Sequence, residues 1–163
     1  MSLTADNILT AFAALAAELE RQNERAELLI VGGAALVLLF HARESTKDVD
    51  AYFVRPEGSV IRSAAASVAD ALDLPADWLN DGAKAYLVGA SEGTVLFESS
   101  SLIVRAAAIP QLLAMKLAAW RDAVDRADAR LLLEKMSGAA HEIWARVTTV
   151  RARGESRKNF LRV

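Results

Sequence analysis

Asp48 and Asp50, two apart in "TKDVDAYF", are the residues of this chain best suited to metal-assisted chemistry. Val49, Ala51 and Phe53 alternate there with Asp48, Asp50 and Tyr52, a period of two that predicts a strand with both carboxylates on one face. Their backbone positions then lie roughly 6 to 7 Å apart, so the carboxylates can converge on one or two divalent cations. Magnesium takes few protein carboxylates and completes its shell with water and phosphate oxygens, which suits a triphosphate substrate. Upstream, Gly32 and Gly33 stand between two apolar runs. Glycine permits close backbone approach, and amides at the opening of a helix can bind anionic oxygens. Spacing alone leaves a plainer alternative open, in which the aspartates sit on the solvated face of an edge strand and the glycines only make a turn.

Other elements must position these residues. Ile8, Phe12, Leu15 and Leu19 recur three or four apart behind Thr4, predicting an amphipathic helix with a threonine N-cap. Residues 28–31 form an apolar run too short for a helix and stopped by glycine, hence a buried strand; residues 34–40 are apolar on nearly every side, hence a short buried helix. The stretch "ESTKDVDAYFV" reads as the acidic strand, and Val60, Ile61, Ala64, Val68 and Leu72 return to helical spacing. Next, "LPADWLNDGAKAYL" reads as a capped short helix anchored by Trp78, followed by two strands, "GTVLFES" and "SLIVRA", turning around residues 99–101. Three helices should close the chain, the first from Pro110, the second carrying Leu131, Leu132 and Leu133, the last over about residues 139–147.

Composition excludes several classes. There is no cysteine, so disulfides and thiolate chemistry are out, and only His41 and His141 offer imidazole; neither sits in a triad pattern. At 163 residues with 53% hydrophobic content the chain has room for one packed core. No apolar run approaches the ~20 residues of a membrane span, and no cleavable signal pattern precedes them, so a cytoplasmic protein without membrane association is expected. The net charge of −2 hides an acidic body and a basic end, where Arg146, Arg151, Arg153, Arg157, Lys158 and Arg162 face a single Glu155. An acidic body disfavours a broad surface tracking duplex DNA, while the basic end leaves local contact with RNA open.

"GGAALVLLFHARESTKDVDAYF" resembles the signature of the DNA polymerase beta-like nucleotidyltransferase superfamily, where a glycine pair or Gly-Ser opens a helix and an Asp-x-Asp strand follows. The series Arg43, Thr46, Asp48, Asp50 is similar to the form found in its bacterial branch of abortive-infection and toxin nucleotidyltransferases. "IPQLLAMKLAAWRDAVDRADARLLL" resembles that branch's downstream helical segment, a lysine followed by an Asp-x-x-Asp pair. The resemblance implies that Asp48 and Asp50 hold two magnesium ions, with Gly32, Gly33, Arg43 and Thr46 binding the nucleotide. It further implies that Lys116 neutralises phosphate charge and that Asp125 and Asp128 orient Lys116 or reach the metal. Positions 116 and 128 lie roughly 120° apart around a continuous helix, so they can meet only if the helix breaks between them, near Asp122.

Two departures stand beside the resemblance. Gly33 replaces the commoner serine, and no third carboxylate is evident: Glu98 is a candidate, but Leu102 and Val104 occupy the places where one is sought. The expected fold is α/β, a small mixed sheet of four or five strands with helices on one side and a C-terminal helical cap, the core spanning residues 1–108 and the helical segment residues 109–163 of the same domain. The expected activity is magnesium-dependent transfer of a nucleoside monophosphate from a triphosphate to an acceptor hydroxyl, RNA or a transfer-RNA end among the candidates, with an antitoxin protein as a further partner. The competing expectation is a catalytically silent module of the same fold that binds nucleotide or protein.

Overall fold

The computed structural model describes residues 2–86, 91 and 93–150. The chain divides into two compact units, one formed by Met1–Lys84 with Thr94–Ala106, the other by Ala85–Gly93 with Ala107–Val163.

The first unit opens with β1 (Leu3–Thr4) and α1 (Ala5–Arg21). Thr4 caps α1 by accepting from the Asn7 amide, while the Asn7 side chain returns to the Thr4 amide, so two otherwise orphaned N–H groups are satisfied. Strand β2 (Ala26–Ile30) follows, then α2 (Gly32–Phe40), β3 (Ser45–Thr46), β4 (Val49–Arg55), α3 (Gly58–Leu72) and β5 (Leu79–Asn80). After a 3₁₀ turn at Gly82–Tyr86 come β6 (Val95–Glu98) and β7 (Leu102–Ala106), an antiparallel pair joined through residues 99–101.

Five strands make one mixed sheet in the order β5-β4-β2-β7-β6. The fold is thus α/β with a small mixed sheet, as the alternation of patterns predicts. Strand β2 is central, antiparallel to β4 and parallel to β7, which explains its nearly unbroken apolar run: such a strand is covered on both faces. One face buries Leu28, Ile30, Ala51, Leu102, Val104 and Ala106. Helices α1 and α3 supply the rest of this core through Ile8, Leu15, Ile61 and Val68. Phe12 joins them, its ring centroid 6.4 Å from that of Trp78 and 6.1 Å from that of Phe97. Trp78 is fully buried and its Nε1 donates to the Ala65 carbonyl at 3.0 Å, so the one polar atom of this anchor is satisfied.

Two sequence expectations are corrected here. The stretch read as a capped helix around Trp78 forms a turn, the two-residue strand β5 and the 3₁₀ segment instead. Trp78 donates to Pro75 O at 2.9 Å, and its own carbonyl accepts from the Val49 amide at 2.7 Å, so pairing with β4 overrides the local helical spacing. Leu87, at the end of that stretch, lies outside the described residues. The acidic strand is also shorter than expected: Ser45–Thr46 is a separate strand paired with β1, and β4 begins at Val49, immediately after Asp48. Because β4 runs between β5 and β2, it is an interior strand and the edge-strand alternative does not hold.

The second unit contains α4 (Ile109–Ala119), α5 (Ala123–Glu134) and α6 (Ala140–Thr149), with α4 packed against both of the others. Pro110 occupies the first turn of α4, where its missing N–H costs no intrahelical bond. Leu112, Leu113, Leu117, Ala129, Leu132, Ile143 and Val147 are among the buried apolar side chains of these helices. The basic tail residues Arg151, Arg153, Arg157, Lys158 and Arg162 lie outside the described residues. No helix among the described residues is long and apolar enough to cross a membrane.

Candidate active site

Within the first unit, strand pairing places the acidic residues beside the glycine turn. The Val31 amide donates to the Asp50 carbonyl at 2.9 Å, extending the β2–β4 ladder up to the first residue of α2. Gly32 has φ +64°, a left-handed conformation that a side chain disfavours. A Cβ there would stand 2.9 Å from Asp50 Oδ2, so the glycine is what lets the carboxylate lie against the backbone. At Gly33 a Cβ would stand 2.6 Å from Thr46 Oγ1 and 3.6 Å from Arg43 Nη1. Carboxylate, hydroxyl and guanidinium thus converge on two consecutive glycines at the N-terminus of α2. The residue before them, Val31, has no side chain with which to cap the helix.

Thr46 reaches this position because β3 is pinned by β1: Leu3 pairs with Thr46 and Thr4 with Ser45. The same Thr4 caps α1, so the loop carrying Arg43 and Thr46 is fixed to the start of the chain's first helix. Two-residue strands carry no periodicity, and the sequence gives no signal for this pairing.

Asp48 is half-buried just ahead of β4. Asn80 of β5 stands in parallel register beside Asp50, and its Nδ2 lies 3.5 Å from Asp48 Oδ2. Its Oδ1 accepts from the Gly82 amide at 3.0 Å. Sequence reading missed Asn80; a polar residue two places after a buried tryptophan was the only hint. Asp48 and Asp50 offer hard oxygen donors, the class magnesium selects, and a cation with few protein ligands suits them because it fills its remaining positions with water and phosphate oxygens. Among the described residues no group of three or more histidine, aspartate or glutamate side chains is placed to hold a metal. Glu98 does not supply a third ligand. It pairs with Ile103, which pairs with Glu27 at the far end of β2, about 16 Å along the sheet from Gly32 at the rise of a strand.

Helix α2 begins at the glycine pair, of which Gly32 alone has a left-handed backbone. Gly32→Ala is expected to cost about 1 to 2 kcal/mol for the left-handed backbone, more than Gly33→Ala, whose backbone is unstrained, provided the Thr46 hydroxyl can rotate away. Paired urea melts of the two variants measure the difference, and equal losses would contradict it.

The second unit holds the other predicted residues. Helix α4 ends at Trp120, which takes a left-handed conformation with φ +40°, and α5 starts behind Asp122, whose side chain accepts from the Asp125 amide at 2.9 Å. This break, unmarked by Gly or Pro, lets α5 fold back on α4. Lys116 Nζ then lies 2.9 Å from Asp125 Oδ1 and 2.8 Å from Asp128 Oδ2. The three side chains are 12%, 3% and 7% exposed, so the cluster is a buried one. Asp125 also accepts from the Arg121 amide at 3.0 Å and from Arg121 Nε at 3.2 Å.

Burial by itself pushes the Asp125 carboxyl up, but the Lys116 ammonium together with the Arg121 amide and guanidinium holds it below the ordinary aspartate value. A carboxyl whose folded pKa is depressed contributes stability that is complete above the unfolded value of about 3.9 and is lost as pH falls from there through the folded value. Thermal melts run from about pH 6 downward should therefore show a steeper acid decline for the wild type than for Asp125→Asn. Parallel declines would show that this carboxyl does not carry the acid sensitivity.

A family model described as a nucleotidyltransferase of unknown function (DUF6036) matches residues 7–128. No curated protein and no solved structure matches the chain. The match spans the glycine turn, the Asp-x-Asp strand and the Lys116 cluster alike, and covers well over half of the 163 residues. By that match, this chain belongs to the family of nucleotidyltransferases of unknown function.

Proposed function

We propose that the protein transfers a nucleoside monophosphate from a nucleoside triphosphate to an acceptor hydroxyl, with magnesium held at Asp48 and Asp50. The observation that carries this reading is the convergence of the Asp50 carboxylate, the Thr46 hydroxyl and the Arg43 guanidinium on Gly32 and Gly33 at the start of α2. A helix N-terminus with an arginine and a hydroxyl beside it favours phosphate oxygens, and two neighbouring carboxylates favour the cation that accompanies a triphosphate. Magnesium, when bound, neutralises charge on the phosphates and holds them for in-line attack.

In the transfer, the acceptor oxygen forms a bond to the α-phosphorus while the bond to the β-phosphate oxygen breaks, releasing pyrophosphate and one proton. Arg43, Thr46 and the α2 amides orient the phosphates; Asp48 and Asp50 fix the position of their counter-charge. Such reactions depend chiefly on positioning and electrostatics, which these residue types supply. Within the second unit, Asp125 and Asp128 hold the Lys116 ammonium between them. The acceptor proton passes to water as the new bond to phosphorus forms. The Arg43, Thr46, Asp48, Asp50 series supports a toxin-like use controlled by an antitoxin protein, and the basic residues near the chain end favour an RNA acceptor.

The test is incubation of the purified protein with each labelled triphosphate, magnesium and total cellular RNA, beside Asp48→Asn and Asp50→Asn. Label on RNA that both variants lose is the expected result. Magnesium-dependent nucleotide binding with no transfer to RNA, protein or small acceptors would replace the enzyme with a silent binding module.

A further inference from the structure

Asn80 is placed where its chemistry matters most for the acidic pair. Strand β5 runs parallel to β4 with Asn80 opposite Asp50 and Leu79 opposite Val49. Its backbone is anchored on both sides: the Trp78 carbonyl accepts from Val49, and Asp81 is tied to Arg62 at 3.1 Å. The orientation of its amide is fixed by chemistry, because the Gly82 amide needs an acceptor and takes Oδ1 at 3.0 Å. Nδ2 must then face Asp48 Oδ2, at 3.5 Å. A neutral donor therefore occupies a neighbouring strand position from which a carboxylate oxygen could join Asp48 and Asp50.

We propose that Asn80 is a positioning residue that holds Asp48 through its amide and keeps the cation affinity of the acidic pair low, so that the divalent cation is retained only with the phosphate oxygens of a nucleotide. This rests on the reading of Asp48 and Asp50 as the cation-binding pair. Affinity of an oxygen site for a hard cation rises with the number of carboxylates, and an uncharged residue at position 80 leaves two of them, too few to hold the cation alone. In Asn80→Asp the fold-fixing contact survives, since Oδ1 still accepts from Gly82, but the second oxygen now faces Asp48 Oδ2. Two carboxylate oxygens at that separation repel unless a proton or a cation sits between them.

Manganese serves as the probe, titrated into the full-length protein without nucleotide and followed by the electron paramagnetic resonance signal of the free ion, beside thermal melts with and without the ion. Asn80→Asp is expected to bind manganese about tenfold or more tightly than wild type, to melt lower without the ion, and to gain more from it. Addition of ATP should tighten manganese binding to wild type far more than to the variant. If Asn80→Asp binds the ion no tighter than wild type while Asp48→Asn in the wild-type background abolishes nucleotide-assisted binding, the role of Asn80 is overturned and the cation pair stands. If Asp48→Asn leaves nucleotide-assisted manganese binding unchanged, the assignment of the pair itself fails. A variant that stays unfolded even with the ion also overturns the proposal, because the added carboxylate would then be creating repulsion that no cation relieves.

Discussion

Asp48→Asn is expected to lower nucleotide transfer at least ~10³-fold while leaving the folded state within about 0.5 kcal/mol of wild type. The two halves of this expectation have separate causes. Asp48 is half-buried and its one described side-chain contact is the long approach of Asn80, so little native structure depends on its charge. Removing one of two neighbouring carboxylates even relieves repulsion in the absence of a cation. The proposed transfer depends on that same charge, because the amide oxygen of asparagine is a much weaker ligand for a hard divalent ion and cannot balance triphosphate charge. Asp50→Asn should lose at least as much, since its carboxylate lies directly against Gly32 where the phosphates are expected. The checks are label transfer under saturating triphosphate and urea melts of both variants. Transfer at wild-type rate in a folded Asp48→Asn protein would remove the pair from the mechanism.

Lys116→Met is expected to destabilise the helical unit by about 3 to 5 kcal/mol, the usual result of deleting one partner from a buried ion pair. Asp125 and Asp128, 3% and 7% exposed, then lose the ammonium they share, and the Arg121 guanidinium on Asp125 is itself 76% exposed. Methionine is unbranched and adaptable like the lysine stem, so the loss comes from the carboxylates' missing ammonium and not from packing. A triple change, Lys116→Met with Asp125→Asn and Asp128→Asn, should recover part of the stability, because uncharged amides can share hydrogen bonds where lone carboxylates cannot. Urea denaturation of single and triple variants reads this directly. A single variant as stable as wild type would mean that Lys116 is not needed to hold α4 to α5.

Local pattern in the chain was enough for most elements. Thr4 followed by apolar residues at helical spacing specifies α1, and the run ended by Gly32 specifies β2, since both depend on neighbours within a few positions. The alternation through Val49, Asp50 and Ala51 likewise predicts a buried face and a half-buried face that carries the aspartate, and the glycine pair marks the turn that an acidic side chain approaches. Around Trp78 the same logic failed, because a single large anchor is compatible with a helix or an extended segment, and pairing with β4 decided between them.

The sequence by itself determined which residues have the chemistry: paired carboxylates, a glycine turn, an arginine, a threonine and a buried-type lysine with two aspartates downstream. Tertiary structure alone decided how they meet. Thr46 reaches Gly33 through a pairing with Leu3, more than forty positions away. Asn80 reaches Asp48 through a parallel strand only two residues long. Lys116 meets Asp125 and Asp128 because Trp120 adopts a left-handed conformation that no glycine announces. Each of these contacts is non-local or runs against a residue's own preference, and it is stabilised by the packing of whole elements; a local pattern of residue types carries no record of that energy.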